Sequence, residues 1–186
     1  MGSENVFVYG TLKRGEPNHH WITNPCNGSA RLVGVAQTVE LYPLVIASKY
    51  NIPFLLHHPG HGHVGTSVEQ GVECLAVTED GTSDVCPQAV SGEVYSVDGA
   101  MLCSLDALED HPRLYARSRV AARLLPAGET VACWAYLLTA FRPELLALPC
   151  HTDYRSSGPH GLEYCEGRSR DPGHELLWDV KPRGGA

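Results

Sequence analysis

The stretch VFVYGTLKRG, residues 6–15, decides how the start of this chain is read. Val6, Phe7 and Val8 form a short apolar run of the kind that makes a buried strand. The run breaks at Tyr9-Gly10, and a basic pair, Lys13 and Arg14, stands before Gly15. The continuation EPNHHW, at 16–21, is polar and turn-forming. A strand that ends this way either simply turns or opens into a loop built to hold a ligand.

The rest of the chain narrows the choice. A length of 186 residues suits one domain, and an apolar fraction of 43% allows a real core. Nineteen glycines and thirteen prolines, with charged residues at only 19%, point to many short strands and turns. The net charge of -7 leaves no basic excess for a phosphate backbone, so nucleic acid is not expected as a partner. No apolar run reaches the ~18 residues of a membrane span. The opening MGSEN lacks the charged and apolar regions of an export signal, and a myristoylation pattern fails at Val6. The seven cysteines include no Cys-x-x-Cys pair. Reduced thiols in a cytoplasmic protein are therefore expected, with Cys103 and Cys133 as core filler.

Strands are expected at 6–8, 30–41 (one or two), 42–47, 51–56 and 90–97, and as a pair at 119–125 and 130–138 around Pro126-Ala127-Gly128. Residues 13–28 read as a loop punctuated by Pro17, Pro25 and Gly28. Asp98 is placed to cap a helix whose apolar residues Met101, Leu102, Leu105 and Leu108 follow a 3.6 period, and Pro112 is expected to end it. Residues 141–149 allow a helical turn or two. The chain reads as a single domain over 1–165, with a surface insertion at about 63–89 and a loose tail over 166–186.

Several motifs invite chemistry. Residues 60–65, GHGHVG, spell G-x-G-x-x-G, but Pro59 precedes them and no helical period follows, so a glycine-histidine loop is the plainer reading. His57, His58, His61 and His63 are good ligand types, yet a glycine-rich stretch gives them no fixed geometry, and no metal or other cofactor is expected. No G-x-S-x-G nucleophile elbow occurs. Glu109 borders the buried stripe of the 98–108 helix in its last turn, where the macrodipole disfavours a negative charge. It is either a solvated acid beside a helix end or a carboxylate kept in a poor place because chemistry needs it.

Six segments, FVYGTLKRG (7–15), YPLVIA (42–47), NIPFLLH (51–57), SGEVYSVD (91–98), LDALEDHPRLYAR (105–117) and SSGPHGLEY (156–164), occur in an order that resembles the γ-glutamyl cyclotransferase superfamily, nearest to its members that act on γ-glutamylamines. The resemblance implies an α+β fold: a small, mostly antiparallel β-barrel with flanking helices. It implies that Tyr9, Gly10, Thr11 and Leu12 bind the glutamyl group and that Glu109 is the catalytic acid-base. The implied reaction converts γ-glutamyl-ε-lysine, left by degraded transglutaminase crosslinks, to 5-oxoproline and lysine. A monomer acting on a small molecule is expected. Tyr115 would hydrogen-bond the substrate or serve as a core aromatic; residues 51–53 and 158–161 would border the pocket. The insertion has no counterpart in the family pattern. The alternatives are a cyclotransferase for γ-glutamyl amino acids, a non-catalytic ligand-binding barrel, and a metal- or nucleotide-responsive module built on 57–65.

Overall fold

Val6, Phe7 and Val8 lie in β1 (Glu4–Val8), and all three are buried because this strand is paired on both edges and covered on both faces. The computed structural model describes residues 2–58, 89–166 and 171–182. The other strands are β2 (Ala30–Thr38), β3 (Leu44–Ala47), β4 (Ile52–Leu55), β5 (Ser91–Val97), β6 (Ala116–Leu124) and β7 (Thr130–Leu137). Five of them close a barrel in the order β1-β5-β2-β6-β7, while β3 and β4 form a two-stranded sheet. Barrel pairing is antiparallel except where β1 meets β7, with Val6 opposite Trp134. The expected barrel is thus the observed one.

Strand alternation divides the core in two. Phe7 joins Ala36, Val94, Ala122, Cys133 and Ala135, small residues from every barrel strand, and together they fill the interior. Gly92 belongs to the same solution, because a Cβ there would stand 2.6 Å from the Phe7 ring and 2.4 Å from the Val8 carbonyl oxygen. Val6 and Val8 face the other way, into a cluster with Tyr95, Met101, Leu105 and Tyr115. That outer face is where the helix and the long connections pack.

The main helix, α2 (Gly99–Leu108), starts as its sequence dictates. The Asp98 carboxylate accepts from the Met101 N–H at 2.8 Å and from the Ser29 N–H at 3.0 Å. Met101 and Leu105 are fully buried, Leu102 and Leu108 partly so. The helix ends before Pro112 can act on it: Glu109 is its C-terminal cap and Asp110 takes a left-handed φ of 51°. Cys133 is buried as expected. Cys103 is exposed, because it lies on the side of α2 opposite Met101 and Leu105.

Two further expectations change in detail. The loop 13–28 contains α1 (His20–Thr23) and a 3-10 turn, Pro25–Asn27, started by Asn24, whose side chain accepts from the Cys26 N–H at 3.0 Å. Within 166–186, expected as a loose tail, α3 (Leu177–Val180) packs down, with Val180 fully buried and accepting from the Arg142 N–H at 2.8 Å. The 60–65 motif, His61, His63 and all of the 63–89 stretch but Ala89 lie outside the described residues. Among the described residues no helix is long and apolar enough to cross a membrane.

Candidate active site

The end of β1 and the end of α2 meet at a cavity of about 650 Å³ on the outer face of the barrel. Tyr9, Gly10, Thr11, Leu12, Glu109 and Tyr115 all line it. Ile52 and Pro53 of the 51–53 segment line it too, whereas Asn51 instead donates to the Glu163 carbonyl at 2.8 Å. The 158–161 loop is not part of the lining; Tyr164, Glu166 and Leu176 form the late wall in its place.

The turn after β1 is held open by bonds on its outer side. Tyr9 points inward, its hydroxyl donating to the Tyr136 carbonyl at 2.7 Å and accepting from the Leu55 N–H at 3.4 Å. Gly10 is required by packing, since a Cβ there would come within 2.9 Å of Pro53 Cγ. Asn18 folds back over the turn: its N–H donates to the Thr11 carbonyl at 2.9 Å, and its side-chain amide donates to Thr11 Oγ1 at 3.0 Å and to the Tyr164 hydroxyl at 3.1 Å. The main-chain N–H groups of Gly10, Thr11 and Leu12 donate to no group among the described residues.

Three charged residues fasten this turn to different parts of the molecule. Lys13, only 5% exposed, pairs with Asp153 and donates to the Tyr154 carbonyl at 2.7 Å. Arg14 reaches Glu93 of β5, through Nε at 2.7 Å and its main-chain N–H at 3.0 Å. Glu16 accepts from the Ser156 N–H at 2.8 Å. The basic pair of the opening stretch therefore serves as an anchor.

Across the cavity, two carboxylates three residues apart have opposite surroundings. Asp106 is paired on both oxygens: Arg117 Nη1 reaches Oδ2 at 2.8 Å and the Tyr136 hydroxyl donates to Oδ1 at 2.8 Å. Glu109 receives no hydrogen bond or ion pair among the described residues, and burial pushes its carboxyl up to about 7. Burial first, and then the nearby Glu109 charge, push the Tyr9 hydroxyl well above the ordinary tyrosine range, which keeps it a neutral donor. Such a carboxyl, poised near neutrality and opening onto a cavity rimmed by unused N–H donors, has the properties of a proton shuttle.

Tyr115 is 5% exposed, stacks on Phe54 with ring centroids 5.5 Å apart, and donates to the Pro53 carbonyl at 3.1 Å. It forms wall and core at once. Sequence reading missed Asn18, Trp21, Tyr136 and Tyr164, which also line the cavity. Tyr136 sits in an alternating strand where any aromatic reads as core; its position opposite Arg117 in the β6–β7 register was the one available signal. Among the described residues no group of three or more His, Cys, Asp or Glu is arranged to hold a metal ion.

Several known proteins resemble this chain in sequence and fold. Residues 6–83 and 68–156 match the family model described as gamma-glutamyl cyclotransferase, AIG2-like. The gamma-glutamylaminecyclotransferase of Rattus norvegicus is 40% identical over 166 residues, covering 86% of this chain and 95% of that protein. Its namesake from Homo sapiens is 41% identical over 169 residues, covering 86% and 94%. The crystal structure of an aig2-like protein from Mus musculus superimposes with a TM-score of 0.74 at 39% identity, over 91% of this chain and all of that one (100%). The chain belongs to the AIG2-like γ-glutamyl cyclotransferase family.

Proposed function

We propose that this protein is a γ-glutamylamine cyclotransferase that converts γ-glutamyl-ε-lysine, the remnant of a degraded transglutaminase crosslink, to 5-oxoproline and free lysine, with Glu109 as its acid-base. The observation that carries this reading is the unpaired Glu109 carboxyl, raised to about 7, in one cavity with the free N–H groups of Gly10, Thr11 and Leu12. The similarity to the rat and human gamma-glutamylaminecyclotransferases supports the choice of substrate class.

The substrate brings its own nucleophile. Its α-nitrogen attacks its own γ-carbonyl carbon, a five-membered ring closes, and the bond to the departing amine breaks. Holding an intramolecular pair in a near-attack pose is equivalent to a reactant concentration of about 10⁵ M or more. No covalent enzyme intermediate and no cofactor is needed. The α-nitrogen starts as ammonium and ends as a lactam N–H, so it sheds two protons. The departing nitrogen starts as an amide N–H and ends as ammonium, so it gains two. Ionised Glu109 accepts a proton to release the nucleophile and, once protonated, donates to the leaving nitrogen. The turn N–H groups donate to the carbonyl oxygen as it becomes an oxyanion. Tyr9, Gly10, Thr11, Leu12 and Tyr115 enclose the glutamyl moiety.

The test is direct. Incubated with γ-glutamyl-ε-lysine, the protein should release 5-oxoproline and lysine in equal amounts, and Glu109→Gln, which keeps shape but cannot shuttle, should not. Comparable turnover by that variant would refute the mechanism.

A further inference from the structure

The far wall of the cavity, Tyr164, Glu166 and Leu176, lies beyond the residues that the family model matches, which end at 156. The chemical end, Gly10, Thr11, Glu109 and Tyr115, lies wholly within them. The wall is nevertheless fixed in place. The Cys165 N–H donates to the Tyr50 carbonyl at 3.0 Å, and the segment carrying Leu176 is anchored by buried Val180. Trp21 and Tyr164 give this side of the cavity flat apolar surfaces of the sort that accommodate a chain of methylenes. Glu166 adds a carboxylate at the solvent edge, and no cation among the described residues pairs with it.

We propose that Glu166 is a specificity-determining residue that selects γ-glutamylamines whose departing amine ends in a second ammonium group. The inference rests on the cyclotransferase reading of the site. An extended lysine carries its α-ammonium, with the α-carboxylate on the same carbon, about 7 Å from the nitrogen of the bond being cleaved, so the ammonium reaches from the reacting centre towards the rim while the glutamyl group occupies the turn. A carboxylate there attracts that ammonium and offers nothing to an uncharged alkyl amine of the same length. Exposure to solvent makes the preference modest, because water screens the pair.

The experiment compares, in the full-length protein, the γ-glutamyl amides of 1,5-diaminopentane and of n-hexylamine, which match in length and differ only in the terminal ammonium, with the α-carboxylate of lysine absent from both. The readout is the ratio of kcat/KM for the two substrates. Glu166→Gln should lower that ratio about threefold and Glu166→Lys about tenfold, both mainly through KM for the diamine compound. A loss of packing alone would slow both substrates together and leave the ratio where it was. A ratio in Glu166→Lys within about twofold of the unmodified protein's, or above it, would overturn the assignment while leaving the cyclotransferase reading intact. Release of no 5-oxoproline from either substrate by the unmodified protein would overturn both.

Discussion

The two ends of the cavity are built differently. The inner end is made by the termini of regular elements, where β1 runs out at Tyr9 and α2 at Glu109, and it is fastened by a buried bond from Lys13 and part-buried ones from Arg14 and Glu16. The outer end is irregular chain, at Tyr164, Glu166 and Leu176, held by main-chain bonds to Tyr50 between β3 and β4 and to Arg142 after β7, and by one buried valine. Geometry that proton transfer demands sits on rigid supports, and the surface that meets the variable part of a ligand sits on chain that can change without disturbing them.

The contrast makes graded predictions. Glu109→Gln should cause the largest loss, about 10²- to 10⁴-fold in kcat with a folded protein, measured by 5-oxoproline release. Lys13→Met comes next: removing a buried ammonium leaves Asp153 and the Tyr154 carbonyl short of a donor and frees the turn to shift. A fall of about 10- to 100-fold in kcat/KM should accompany a loss of about 1–3 kcal/mol in denaturant-measured stability.

A third prediction concerns pH. The Glu109 carboxyl is raised to about 7 by burial, so between its unfolded value of about 4.5 and about 7 the native state holds more protons than the unfolded one. Stability should therefore fall as pH rises through that window and level off above it. The contribution is on the order of 2 kcal/mol after discounting for the part of the carboxyl open to the cavity, and Glu109→Gln should lack it. At pH 8 that variant should be the more stable protein, a direct measure of what the unpaired acid costs the fold. Activity should run the other way, rising with an apparent pKa of about 7. The smallest effect belongs to the outer wall: Leu176→Ala should raise KM for γ-glutamyl-ε-lysine by about two- to fivefold, read from initial rates. An equal fall in kcat would dissolve the distinction between the two ends.

Much of the frame was legible because it follows short-range rules. The apolar run at 6–8, the Asp98 cap and the pair of strands around Gly128, with its φ of 77°, each state their own structure. Glu109 stood out in the sequence through an electrostatic oddity, a negative charge in a helix's last turn, to which the family resemblance attached the role proposed above. The anchoring role of Lys13 and Arg14 was not legible because their partners, Asp153 and Glu93, lie far along the chain. The outer wall was illegible for a related reason. Residues 156–182 have no period to read, and the contacts of Tyr50 and Arg142 that set their path are long-range. Cys103 was misplaced because apolar neighbours in sequence say nothing about which side of a helix a residue takes.

The order of strands has one more consequence. Residues before 59 supply β1 and β2, residues after 88 supply β5, β6 and β7, and the order β1-β5-β2-β6-β7 interleaves the two sets around the barrel. A cut in the intervening backbone would leave two polypeptides locked together like the fingers of clasped hands, one holding the free N–H groups of the 10–12 turn and the other Glu109. Split there and mixed, the halves would regain the proposed turnover only by knitting the whole barrel, which would make that turnover a reporter of their association.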